Sequence, residues 1–220
     1  MERKFDLIIF DLDVTLFDTK WTILKALVGF VEKEKLRKLT DEEVEGFFGP
    51  PVIKSFEKFY PHFNKQEIEE LTARYRKYYM ENELLKAKIY NGTKEMIVTL
   101  KERGYKVALA TYKLMKCVFP LLEYNDIIKY FDSIQGSFTE LDGTKADIML
   151  RAIKECEITD LNRVCMVGDT EHDFGAARTL QVSFIGMNYA HTFDNLSKEQ
   201  AEYKKLLGLC SEAIEILDLV

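Results

Sequence analysis

The sequence predicts an α/β fold: a parallel sheet between two layers of helices, with a small all-helical segment inserted near its start. Three observations predict it. From residue 91 onward, short apolar runs of strand character alternate with segments of helical periodicity, the pattern of βαβ units joined by right-handed crossovers. One further run of the same kind, residues 5–10, stands alone near the start. Between the two, residues 18 to about 90 carry helical patterns and no convincing strand.

Residues 5–10 form a short apolar run, as expected of a strand buried on both faces. Residues 20–36 place Trp21, Leu24, Val28 and Val31 at helical spacing. A short helix follows over 41–47, with Thr40 as N-cap and Glu43 completing a capping box. Gly49-Pro50-Pro51 breaks it, and 52–59 reads as the next helix. Asn64 can cap a long helix over 67–83, whose apolar stripe is Ile68, Leu71, Tyr75 and Tyr78. After Asn91-Gly92 come a helix over 93–103 stopped by Gly104, a strand over 105–110, a helix over 114–123, a turn near Asn125 and a weak strand over 133–135. Then follow a helix over 145–156, a strand over 163–167, a helix over 174–180 and a strand over 182–185. Residues 188–210 read as loop plus helix, and a last helix over 212–217 is capped by Ser211.

Composition bounds the function. At 220 residues and 47% hydrophobic, the chain can bury the core of one large domain, or of a domain with an insert. A net charge of −6 gives no electrostatic case for nucleic acid or an acidic membrane. The apolar runs are far too short to cross a bilayer, and the first residues lead into a strand with no signal-peptide core. Cys117, Cys156, Cys165 and Cys210 stand apart with no C-x-x-C pair. That pattern points to buried thiols in a reducing compartment, hence the cytoplasm, rather than to zinc. His62, His172 and His191 are too scattered for a metal box.

The chemistry lies in the carboxylates. Asp11 and Asp13 end the first strand, and Asp169 and Asp173 follow the strand over 163–167. Singly, such residues are strand-end turn formers. Jointly, at two strand ends of an open α/β sheet, they fall where such sheets bind ligands. Two carboxylates this close repel unless a cation joins them or one is protonated. Both outcomes serve phosphoryl chemistry: an ionised carboxylate can attack phosphorus, and a protonated one can serve the leaving oxygen. All-oxygen ligands favour Mg²⁺. Thr111 ends the strand over 105–110, where its hydroxyl and nearby amides can hold a phosphate oxygen. Lys145 opens a helix, where its ammonium and the helix dipole can offset negative charge.

These residues, in this order, resemble the four motifs of the haloacid dehalogenase-like hydrolase superfamily: Asp11-Leu12-Asp13-Val14-Thr15, Ala110-Thr111-Tyr112-Lys113, Lys145, and Gly168-Asp169 with Asp173. The branch that looks nearest is the phosphoglycolate phosphatase-like one. Gly49-Pro50-Pro51 with Ser55-Phe56, Tyr75-Arg76-Lys77-Tyr78-Tyr79 and Val167-Gly168-Asp169-Thr170-Glu171-His172-Asp173 carry that likeness. The resemblance implies a Rossmann-like core of residues 1–17 and 91–220, with the first strand central, and a helical cap over 18–90. It implies Asp11 as nucleophile and magnesium ligand, Asp13 as general acid/base with its carbonyl on the metal, Asp169 as the third protein ligand, and Asp173 as supporting the metal directly or through water. Thr111, Tyr112 and Lys145 would hold the phosphoryl group, and Lys54 and Tyr112 at the cap–core junction would select among substrates. Val14 departs from the family's usual glycine, and Tyr112 from a small polar residue.

The expected function is Mg²⁺-dependent hydrolysis of a small-metabolite phosphomonoester through an aspartyl-phosphate, by a monomer or homodimer without nucleic-acid or membrane partners. The alternatives are a phosphoglucomutase-like phosphotransferase, a nucleotidase or pyrophosphatase, and a catalytically silent binding protein. A silent protein has no reason to keep Asp11, Asp13, Lys145, Asp169 and Asp173 together. A dehalogenase would lack an acid at Asp13. His172 reads as a helix-start residue, and the Tyr and Phe of residues 47–79 as interior packing rather than a nucleobase site.

Overall fold

The computed structural model describes residues 3–49, 51–138 and 143–220. Pro50 of the expected break, and Leu141 and Asp142 just before Lys145, lie outside the described residues. The chain divides into two compact units, Met1–Phe17 with Ile89–Val220, and Asp18–Lys88.

The first unit opens with β1 (Leu7–Phe10), whose four residues are all buried. A two-stranded ribbon pairs β2 (Phe17–Asp18) with β3 (Lys88–Ile89), so the stretch expected to hold no strand contributes to one of two residues per side. The helices of the second unit lie between them: α1 (Lys20–Lys33), α2 (Asp41–Glu45), α3 (Val52–Phe59) and α4 (Lys65–Asn82). Thr40–Glu43 and Asn64–Glu67 form the capping boxes of α2 and α4, each satisfying first-turn amides the helix cannot reach. The interior of this unit is aromatic. Tyr75 meets Phe30, Phe47 and Phe56 edge-on at centroid distances of 5.7, 5.2 and 5.6 Å, a favoured quadrupole geometry.

The chain then returns to the first unit through α5 (Thr93–Glu102), β4 (Lys106–Leu114), α6 (Met115–Tyr124), β5 (Ser133–Ser137) and α7 (Lys145–Glu155). It finishes with β6 (Val164–Gly168), α8 (Glu171–Leu180), β7 (Ser183–Met187), α9 (Lys198–Ala201) and β8 (Leu206–Cys210). The six longer strands form one parallel sheet in the order β5-β4-β1-β6-β7-β8. Successive side chains alternate between its faces. Leu7, Ile9, Ala108, Ala110, Val164 and Met166 pack with Ile148, Met149, Ala152, Phe174 and Ala177 of α7 and α8. Ile8, Phe10, Val107 and Leu109, equally buried, belong to the opposite face, and α5 and α6 contact β4. Each such Leu, Ile or Phe contributes about 1.5–3 kcal/mol by leaving water.

Three further expectations are corrected. Residues 188–210 hold an edge strand as well as loop and helix: β8 pairs with β7. It escapes the sequence pattern because Gly208 interrupts its apolar run and only Cys210 is buried. The last helix is a 3₁₀ turn, Ala213–Asp218, capped by Glu212 rather than Ser211. Finally, β4 runs four residues past Ala110, carrying Thr111, Tyr112 and Lys113 with it.

Candidate active site

The sheet order brings the distant motifs together. Because β1 lies between β4 and β6, the residues after β1, the end of β4 and the residues after β6 share one edge of the sheet, at the strands' carboxyl ends. The Asp11 amide donates to the Val167 carbonyl of β6 at 2.9 Å, which fixes Asp11 at that edge. Beyond Asp13 the backbone turns sharply, with the Val14 amide donating to the Phe17 carbonyl at 2.8 Å. Val14 adopts φ +58° there, a left-handed conformation that is strained for a β-branched residue and natural for the glycine the family pattern carries.

Asp173 sits in the first turn of α8, which begins three residues earlier than its apolar pattern suggests. Its carboxylate Oδ2 accepts from the Thr170 hydroxyl at 2.6 Å and the Thr170 amide at 3.1 Å, closing that helix's capping box. Its Oδ1 lies 2.8 Å from the Lys145 ammonium. Gly168, the last residue of β6, is where a side chain is excluded: a Cβ there would stand 2.4 Å from the Asp173 Cγ.

Lys145 is the first residue of α7, and its ammonium also pairs with Asp11. Asp169 is buried and accepts a 3.0 Å hydrogen bond from the Thr15 hydroxyl. Oxygens of Asp11, Asp169 and Asp173 all lie within 4.8 Å of one another. Burial pushes the Asp11 carboxyl up to about 7 despite the pull of Lys145, with Asp173 and Asp13 pushing the same way. Burial, then Asp11 and Asp173, drive Asp169 well above the usual carboxylate range. For Lys145, burial works to lower its affinity for the proton, but the Asp11 and Asp173 carboxylates outweigh it and hold the ammonium above the ordinary lysine value. Among the described residues, these three buried carboxylates thus face the single ammonium of Lys145. An all-oxygen donor set short of positive charge fits a divalent cation of the hard class.

Asp13 is placed differently from Asp11. Its side chain is 22% exposed, and it pairs with a separate ammonium, that of Lys113, at 2.8 Å. Lys113 is the functional candidate that sequence reasoning named within a motif but gave no role. Thr15 is another. Thr111 is buried and its hydroxyl accepts the Lys113 amide at 3.2 Å. The β4–β5 ladder is irregular between Ala110 and Leu114, a bulge of the kind that re-aims side chains beside active sites. Tyr112 accepts the Lys145 amide on its hydroxyl at 2.7 Å, and His172 meets its ring edge-on at 5.8 Å. Lys54 lies on α3 in the other unit, paired with Glu57 at 2.8 Å.

A family model described as haloacid dehalogenase-like hydrolase matches residues 8–187. The chain belongs to the haloacid dehalogenase-like hydrolases. This hydrolase is 31% identical over 202 residues to a "Putative pyrophosphatase PpaX" of Caldanaerobacter subterraneus subsp. tengcongensis, covering 91% of this chain and 90% of the relative. It is 30% identical over 173 residues to a phosphoglycolate phosphatase of Aquifex aeolicus, covering 78% and 79%. The crystal structure of a "predicted phosphatase" from Clostridium acetobutylicum is similar at TM-score 0.78 and 28% identity, over 99% of this chain and 100% of that one. The haloacid dehalogenase-like hydrolase described here is therefore a phosphohydrolase, acting on a small phosphorylated substrate. No helix among its described residues is long and apolar enough to cross a membrane.

Proposed function

We propose that this enzyme is a Mg²⁺-dependent phosphatase that hydrolyses a small-metabolite phosphomonoester through an aspartyl-phosphate on Asp11. The observation that carries the reading is the division between two carboxylates only two residues apart. Asp11 is buried among Asp169, Asp173 and Lys145, whereas Asp13 is partly exposed and held by Lys113. With a divalent cation among those oxygens Asp11 would be held ionised and able to attack, while Asp13, partly exposed, can exchange protons with water and the leaving group.

In this mechanism an Asp11 oxygen attacks phosphorus while Asp13 gives its proton to the departing ester oxygen. Asp13, now a base, takes a proton from water as that water attacks the phosphoryl group, and Asp11 is released as a carboxylate. Lys145 holds Asp11 and a phosphoryl oxygen, and Thr111 with the Tyr112 backbone holds another. Asp11, Asp169 and Asp173, with the Asp13 carbonyl, would hold the Mg²⁺, which supplies neutralising charge for the nucleophile and the phosphoryl oxygens. The helical unit Asp18–Lys88 acts as a cap that selects the leaving group, with Lys54 among its selecting residues. Four free, buried cysteines agree with work in a reducing cytoplasm.

The PpaX-named relative, matched over 91% of this chain, favours inorganic pyrophosphate as a second substrate candidate beside phosphoglycolate. The test is turnover of an aryl phosphate, then of a phosphorylated-metabolite panel that includes both compounds. Chelation is expected to abolish activity and Mg²⁺ to restore it. Asp11→Asn is expected to lower turnover by at least ~10³-fold in folded protein, with Asp13→Asn also severe. Near-normal rates in folded Asp11→Asn, or full activity in chelator, would overturn the reading.

A further inference from the structure

The side chain of Tyr112 touches the site at more points than a substrate-selecting residue needs. Its hydroxyl accepts the backbone N–H of Lys145 at 2.7 Å. Its ring lies under the Lys145 ammonium, 5.5 Å from Nζ to centroid. The ring also meets that of His172, one residue from Asp173, edge-on at 5.8 Å and 87°. One phenol therefore joins the end of β4 to the starts of α7 and α8.

The contacts are directed. The Lys145 amide is among the first-turn donors that α7 cannot satisfy internally. Thr144 caps the helix through the Asp147 amide, so the phenol takes an amide that the capping box does not. A lysine stem has four carbons and no preferred direction of its own. Here it is fixed at both ends: at the backbone by the Tyr112 hydroxyl, and at the ammonium by Asp11, Asp173 and the Tyr112 ring face. Ring faces attract cations through their quadrupole, more strongly out of water, and the Lys145 side chain is 3% exposed.

We propose that the Tyr112 side chain is a positioning residue for Lys145, anchoring the start of α7 with its hydroxyl and the ammonium with its ring. This rests on the reading of Lys145 as the lysine that holds Asp11 and the phosphoryl group. It revises the expectation that Tyr112 chooses among substrates. A positioning residue alters the phosphoryl step, which all esters share, and leaves discrimination between leaving groups unchanged.

The experiment compares Tyr112→Phe, Tyr112→Leu and Lys145→Met with the native enzyme in Mg²⁺, on an aryl phosphate and two metabolite esters, with a thermal melt of each. Tyr112→Phe keeps the ring and loses one hydrogen bond, so kcat is expected to fall about three- to tenfold with KM nearly unchanged. Tyr112→Leu loses both contacts, so kcat is expected to fall further, about thirtyfold or more. The factors are expected to be equal across the three esters, in protein that melts as a folded chain. A purely structural role would lower the melting temperature and leave kcat per folded enzyme intact, which would overturn the proposal. Unequal factors among esters would overturn it in favour of substrate selection. Should Tyr112→Leu fail to fold, Tyr112→Phe decides alone, and an unchanged kcat there refutes the idea. Lys145→Met with near-native activity would instead sink the reading of Lys145. Loss in Lys145→Met without loss in the Tyr112 variants would sink only the proposal for Tyr112.

Discussion

At the scale of single residues, the site depends on what Gly168 lacks as much as on what the aspartates offer. A Cβ at Gly168 would overlap the Asp173 carboxyl carbon at 2.4 Å, and Asp173 is wholly buried, so one of the two must shift. Gly168→Ala is expected to destabilise the fold by about 1–3 kcal/mol, read as a lower urea midpoint, and to weaken Mg²⁺ binding in a calorimetric titration. An alanine variant with native stability and metal affinity would show that Asp173 has room to move. Lys113 is the other residue with a measurable consequence. Its ammonium holds Asp13 at 2.8 Å with only 7% of its side chain exposed, and a charge-assisted hydrogen bond of this kind contributes about 1.5–3 kcal/mol. Lys113→Met is expected to lower kcat about ten- to hundredfold while Mg²⁺ affinity stays within about twofold. Equal loss of both would place Lys113 in the metal site instead. The four aspartates were legible in the sequence because each pair lies in one short motif at a strand end. Lys113 to Asp13, Thr15 to Asp169 and Tyr112 to Lys145 join residues 100, 154 and 33 positions apart, and no local pattern reports how far a side chain reaches across a sheet.

The elements carry the same division between what a pattern announces and what only packing decides. Capping boxes at Thr40–Glu43 and Asn64–Glu67 are local chemistry, and α2 and α4 begin where that chemistry puts them. The start of α8 escapes the apolar pattern because its first turn, Glu171-His172-Asp173, is polar, even though His172 reads as a helix-start residue. In the structure Asp173 has two duties: Oδ2 closes the box with Thr170 while Oδ1 faces Lys145. Thr170→Ala is therefore expected to cost about 1 kcal/mol of stability through the lost cap, and also to lower activity, because Asp173 loses the partner that orients it. A stability loss with unchanged kcat would separate the two duties of Asp173. The extension of β4 through Lys113 was illegible for a different reason. Thr111-Tyr112-Lys113 lacks the apolar run that marks a buried strand, and it is held by the irregular pairing with β5. Gly136 of β5 permits that pairing, since a Cβ there would meet the Lys113 carbonyl at 2.8 Å.

At the scale of the whole molecule, the parallel order β5-β4-β1-β6 places carboxylates from two ends of the chain at one edge of the sheet, and the fold bears their repulsion. The alternation of strands and helices made this topology legible, because right-handed crossovers from a central first strand leave few alternatives. The consequence is a stability that depends on pH and metal together. Asp11 is lifted from 3.8 to about 7, and Asp169 is lifted in the same direction. Between those limits the metal-free folded chain holds a proton that the unfolded chain has released, so stability falls as pH rises. The contribution is fully present below the ordinary carboxylate value and is lost as pH passes through about 7. A divalent cation among the same oxygens replaces the missing positive charge, and it stabilises by binding the folded chain alone. The melting temperature in chelator is thus expected to drop between about pH 5.5 and about pH 8, with millimolar Mg²⁺ raising it more at the higher pH. Asp11→Asn removes one of the titrating groups, so its melting temperature in chelator should fall less over the same range. A Mg²⁺ shift of equal size at both pH values, or an Asp11→Asn profile as steep as the native one, would show that these carboxylates do not set the stability of the metal-free fold.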